Sequence, residues 1–184
     1  MPIFPKLGAN ATVPDILKLS PDVGRPLLEL NEAVMRGPSP LSPGERELIA
    51  AYVSSLNQCH YCHGVHSETA RAFGLPYLPF GGSPDTLAVD AKMKPLLNAA
   101  RKLTLAPATF TDADAEAVYA AGWDERALHD AIGVICCFNY MNRLLEGHGV
   151  HGNEALFKER GPMLKQYGYL PLIRLLKPKE RAAE

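Results

Sequence analysis

Apolar residues recur at helical spacing along most of this chain. Between Asp15 and Met35 they fall at Ile16, Leu17, Leu19, Leu27, Leu28, Leu30 and Val34, and Pro21 and Pro26 divide the segment into a short helix and a longer one. Gly37-Pro38-Ser39-Pro40 ends it, as Gly and Pro beyond a helix usually do. Ser42 then starts a second unit, with Pro43 at the first helical position and Glu45 placed to complete a capping box. That helix continues through Leu48, Ile49, Tyr52, Val53 and Leu56. Asn57 is the expected cap of the next helix, which carries cysteines in its first turn, runs to about Phe73 and stops at Gly74.

The remaining pattern is also helical. Residues 75–87 (LPYLPFGGSPDTL) read as a loop with apolar anchors, either a packed connector or a lid. A helix is expected from about Met93 to Leu105, another after Thr111 with an acidic first turn, and the longest from Glu125 to Glu146. Asp124 caps this long helix, Ala131, Ile135, Phe138 and Leu145 form its apolar stripe, and Gly147 and Gly149 close it. A last helix is expected over Pro162 to Leu176, followed by a charged tail, KPKERAAE, that should fray. Residues 1–13, broken by prolines, read as an extended arm. No stretch alternates apolar and polar residues at period two, so the fold class is all-α.

Length and composition narrow the function. At 184 residues, 47% apolar and 21% charged, the chain suits a single domain over 1–184 with a real core. Its parts are an N-terminal arm and helices (1–41), a two-helix core (42–74), and a loop with C-terminal helices (75–184). The net charge of −1 gives no concentrated basic face for nucleic acid. The longest apolar run, Gly133 to Phe138, is too short to span a bilayer, and the N-terminus lacks the apolar core of a secretory signal. A cytoplasmic protein is expected. Four cysteines are too few for a disulfide scaffold, and a CxxC here points to redox or metal chemistry.

That CxxC is Cys59-His60-Tyr61-Cys62, followed by His66, with Glu47 on the preceding helix. Residues three and four apart on a helix share a face, about 5–6 Å between Cβ atoms. Cys59, Cys62 and His66 therefore lie along one face, with Tyr61 pointing away. A neighbouring imidazole can take a thiol proton, a helix N-terminus stabilises a thiolate, and Glu47 could orient His66 or carry its proton onward. The helix dipole favours Cys59 as the more acidic thiol. Other chemistries share these residues. Cys59 through His63 is formally the CxxCH pattern of c-type haem attachment, normally made outside the cytoplasm. Zinc could use the cysteines and a histidine, but the only other cysteines, Cys136 and Cys137, are adjacent on a helix, about 100° apart, and read as core residues. Taken singly, each of Cys59, Cys62 and His66 could be a buried structural residue.

Glu47, eleven residues, Cys59-x-x-Cys62, three residues and His66 resembles the core of the AhpD-like alkylhydroperoxidases, within the carboxymuconolactone decarboxylase family. The resemblance is strongest over 42–74. Phe138 to Val150 (FNYMNRLLEGHGV) is similar to a segment of the "peroxidase-related" branch. The resemblance implies an all-α homo-oligomer, trimeric or hexameric, that reduces organic hydroperoxides without a cofactor or metal. Cys62 would attack the peroxide, Cys59 would resolve the product to a disulfide, His66 and Glu47 would relay protons, and a dithiol partner would restore the pair. One departure bears on peroxidase efficiency: Tyr61 stands where the best-known peroxidase members have a histidine. Two further readings stay open, a thiol–disulfide oxidoreductase or redox sensor and a decarboxylase-like acid/base enzyme. A helical interaction module with inert thiols is a third.

Overall fold

The computed structural model describes residues 2–176, and the tail expected to fray lies outside them. Nine α-helices and no strand occur among the described residues. They are α1 (Val13–Leu17), α2 (Pro21–Arg36), α3 (Pro43–Leu56), α4 (His60–Ala72), α5 (Lys94–Leu105), α6 (Asp112–Ala120), α7 (Glu125–His148), α8 (Glu154–Tyr167) and α9 (Leu170–Ile173). None is long and apolar enough to cross a membrane. The all-α expectation holds.

α3 is the axis of the molecule. Leu48 through Val53 are all inaccessible to solvent, as expected of a helix packed on every side. α4, α5 and α7 surround it. Its start is the one the sequence announces: Ser42 Oγ accepts from the Glu45 N–H, and Glu45 accepts from the Ser42 N–H at 2.7 Å. α7 is capped by Asp124 as expected, and Ala131, Ile135, Phe138 and Leu145 all face the core.

Several expectations change. Pro21 opens α2, but Pro26 sits inside that helix without dividing it. Leu19 and Leu30 face solvent. Residues 2–12 fold into turns instead of extending, and the Ile3 N–H donates to the His148 carbonyl at 3.0 Å, tying the arm to the end of α7. Gly147 lies within α7. Gly149 closes the helix at φ 67°, a left-handed conformation that glycine adopts without the Cβ penalty. The last helix is two helices. α8 begins eight residues before Pro162, where the Asn153 side chain accepts from the Leu156 N–H, and Gly168 separates it from α9.

α8 lies directly on α4, and two glycines set the distance. A Cβ on Gly161 would meet the Glu68 backbone at 2.7 Å, and one on Gly64 would strike the Phe157 ring. The 75–87 loop is a packed connector: Leu78 and Leu87 are buried, and the Tyr52 hydroxyl donates to the Gly82 carbonyl at 2.9 Å.

Candidate functional site

The join between α3 and α4 places the thiols. Asn57 does not cap α4; it ends α3, and its side-chain amide donates to Asn139 and Asn142 on α7. Gln58 turns the chain in a left-handed conformation, φ 56°, and Cys59 is the N-cap residue. Cys62 thus occupies the third helical position, in the first turn, where unpaired backbone N–H groups favour negative charge. Both cysteines are free and buried. Hydrogen bonding to Cys59 and burial push the Cys62 thiol well above its ordinary value, and an Asn142 hydrogen bond opposes them.

Glu47 and His66 meet as the sequence suggests. Glu47 is inaccessible to solvent, and its Oε2 lies 2.6 Å from His66 Nδ1. A carboxylate only accepts, so Nδ1 carries the proton and Nε2 is left as the free acceptor of the neutral ring. The other carboxylate oxygen accepts from Arg36 at 2.6 Å and from the Tyr169 hydroxyl at 3.3 Å. Burial acts to raise the Glu47 carboxyl, but His66 and Arg36 prevail and hold it below the usual carboxylate range. Burial and the adjacent carboxylate push Tyr169 well above the ordinary tyrosine value, keeping it a neutral donor.

Arg36 and Tyr169 are the parts that sequence reasoning missed. They come from the end of α2 and from just before α9, and no local motif marks either. Arg36 also donates to the Leu164 carbonyl at 3.0 Å and lies over the Tyr169 ring, 5.3 Å from its centroid. Its fixed charge compensates Glu47, so the Arg36–Glu47–His66 group is neutral with a neutral imidazole and gains a positive charge when His66 takes a proton.

Cys62 and His66 open onto one apolar cavity of about 110 Å³. Tyr61 does not point away from it: it is buried and lines the same cavity. Cys59 is not in the wall, and no residue of the 75–87 loop contributes to it. The outer wall comes from α8 and the residues after it, including Leu164, Tyr169 and Leu172.

His63 faces elsewhere. Its Nδ1 lies 3.2 Å from the Ala51 carbonyl, and its ring packs on Phe80 at 4.0 Å between centroids. Burial lowers its pKa against the opposing pull of the Ala51 and Leu78 backbone, so it stays neutral. Cys137 is a core residue whose thiol burial pushes up to about 12, whereas Cys136 is exposed instead of buried. Among the described residues no group of three or more His, Cys, Asp or Glu side chains is placed to hold a metal.

Comparison with known proteins bears on the α2–α4 segment and on the fold. Residues 21–76, which span α2 to α4 and contain Glu47, Cys59, Cys62 and His66, match the model of the carboxymuconolactone decarboxylase family. A solved structure of an uncharacterized peroxidase-related protein from Silicibacter sp. TM1040 is 29% identical, with a TM-score of 0.73 over 81% of this chain and 79% of that one. A second, described as an alkylhydroperoxidase AhpD core and uncharacterized peroxidase-related protein from Ralstonia eutropha JMP134, is 24% identical, with a TM-score of 0.68 over 79% of this chain and 78% of that one. The second likeness bears on fold alone. No curated protein matches the chain. The α2–α4 segment is thus similar to the carboxymuconolactone decarboxylase family, and the all-α fold to solved structures described as peroxidase-related and AhpD core proteins.

Proposed function

We propose that the protein is a thiol peroxidase that reduces organic hydroperoxides through Cys62 and Cys59. The observation that carries this reading is the shared cavity: Cys62 and His66 both face it, with Glu47 behind the imidazole and Cys59 enclosed beside Cys62. His66 Nε2 accepts the Cys62 proton, and the relay that gains charge is the Arg36–Glu47–His66 group. The thiolate attacks the terminal peroxide oxygen. An S–O bond forms as the O–O bond breaks, and the alkoxide leaves with the proton held on His66, as an alcohol. Cys62 is then a sulfenic acid. The Cys59 sulfur displaces its oxygen as water and forms the disulfide. Two electrons have passed from two thiols to one hydroperoxide, and a dithiol, protein or small molecule, restores the pair by exchange. We place this activity in the cytoplasm, and in a homo-oligomer, trimeric or hexameric, the latter as the family resemblance implies.

A second reading has its own support. Cys59 and Cys62 are free, buried and paired at the start of α4, an arrangement that can also open and close a disulfide by exchange with a partner protein, with no peroxide involved. One experiment separates the two. The reduced protein is given one equivalent of cumene hydroperoxide, and free thiols are counted against time in wild type and Cys62→Ser. Loss of two thiols in wild type, with little loss in the variant, supports the peroxidase. Thiols that survive peroxide but exchange with a disulfide reagent support the oxidoreductase, and thiols inert to both refute each.

A further inference from the structure

The cavity beside Cys62 has a polarity that bears on what enters it. Its inner end is formed by Cys62, His66 and Phe138, all buried. Its outer end is formed by one stripe of α8, Arg160, Met163, Leu164 and Tyr167, spaced three and four apart so that they share a face. Met163 and Tyr167 are 42% and 56% exposed, which marks the mouth. Apart from Thr12, Asn31, His66 and the tyrosine hydroxyls the wall is apolar, and Arg160 is the one arginine or lysine lining it. Its single ion pair among the described residues is a contact of 3.9 Å with its sequence neighbour Glu159, at the limit of pairing. Two acidic groups stand near the cavity and both are engaged: Asp15 by the Thr12 N–H at 3.0 Å and Lys18 at 3.2 Å, and Glu32, beside Gly168, by the Tyr169 N–H at 2.7 Å. Tyr61 lines the same cavity, and burial, which pushes its phenol up to about 12, keeps the hydroxyl a neutral second donor.

We infer that this cavity selects an amphipathic ligand, an aliphatic chain ending in a carboxylate that Arg160 holds at the mouth. For the proposed activity this names the substrate class as hydroperoxy carboxylic acids, and in that respect it rests on the peroxidase reading. Recognition of the carboxylate itself does not. The guanidinium fork matches a carboxylate geometrically, and a half-buried site screens the pair less than open water does. Size sets the chain: a cavity of about 150 Å³ takes benzene, so one of 110 Å³ takes about four to five carbons, with the rest along the Met163–Tyr167 rim.

The test is direct binding of unreactive probes to the reduced protein by calorimetry at pH 7.5, with octanoate, 1-octanol and octylammonium. Octanoate should bind about tenfold more tightly than octanol, and octylammonium more weakly than either. Arg160→Met should remove the octanoate advantage while octanol still binds, which shows that the variant keeps its cavity. Arg160→Lys should retain part of the advantage. Equal binding of octanoate and octanol, an unchanged advantage in Arg160→Met, or no binding of any probe would each overturn the inference. None of these readouts depends on peroxide, so failure of the peroxidase reading appears separately, in the thiol count.

Discussion

Replacing Glu47 by glutamine keeps the volume and one acceptor oxygen but removes the charge. In the wild-type protein the buried carboxylate accepts from Arg36 and His66, both at 2.6 Å. An amide can accept from one of them, and its NH2 end then faces another donor. Charge-assisted bonds contribute about 1.5–3 kcal/mol each, and removing one member of a buried ion pair costs roughly 3–5 kcal/mol. Both routes lead to a loss of about 3 kcal/mol at neutral pH. For a chain of this size that lowers Tm by about 6–12 °C. The acid limb gives a second signature. Because the folded carboxyl lies below its ordinary 4.5, its stabilising contribution is complete above that pH and is lost as pH falls through the lower folded value. Glutamine does not titrate, so the gap between wild type and Glu47→Gln should close on acidification. Urea unfolding followed by circular dichroism at pH 7 and stepwise below pH 4.5 measures both effects. A cost under about 1 kcal/mol at pH 7, or a gap that stays constant into acid, would refute the buried ion-pair argument.

Other outcomes follow from the same contacts. Cys59→Ala removes the hydrogen bond that most raises the Cys62 thiol, so iodoacetamide should alkylate Cys62 at lower pH than in wild type; an unchanged or higher midpoint counts against the coupling. Asn142→Ala should move that midpoint upward and cost about 1–3 kcal/mol, since the residue is buried and donates to Ser54 at 2.9 Å. Gly161→Ala should cost at least 1 kcal/mol, by overpacking, and more than Gly64→Ala, because backbone of α4 blocks the first methyl and a movable Phe157 ring the second. Comparing the two urea midpoints checks the order.

The sequence was most legible where a local rule decides the outcome. Ser42-Pro43 with Glu45 names the start of α3, and Asp124 names that of α7, because each cap bonds within its own turn. The three-and-four spacing of Cys59, Cys62 and His66, with Glu47 one helix earlier, was enough to anticipate the His66–Glu47 pair. What failed involved distant partners or competing signals. Asn57 looks like a cap, but its amide is drawn to Asn139 and Asn142 across the molecule. Pro162 looks like a helix start, yet α8 already runs through it from the Asn153 cap. Tyr61 falls on the outward face when α4 is read alone, but α8 supplies a second wall there and buries it. Arg36 and Tyr169 reach Glu47 from 11 and 122 residues away, and no periodicity encodes such meetings.

The glycine seam between α4 and α8 leaves no slack between the helix that carries the thiols and the helix that walls the cavity. Sliding α8 along α4 would bring other side chains against backbone at Gly161 and against Phe157 at Gly64, so that route to a wider cavity is sterically opposed. Its bore is set instead by the side chains at Met163, Leu164 and Tyr167. An engineer could re-cut that bore one residue at a time, trimming Tyr167 or enlarging Leu164, while the register of Cys59, Cys62 and His66 stays fixed by backbone packing on the opposite side of the seam.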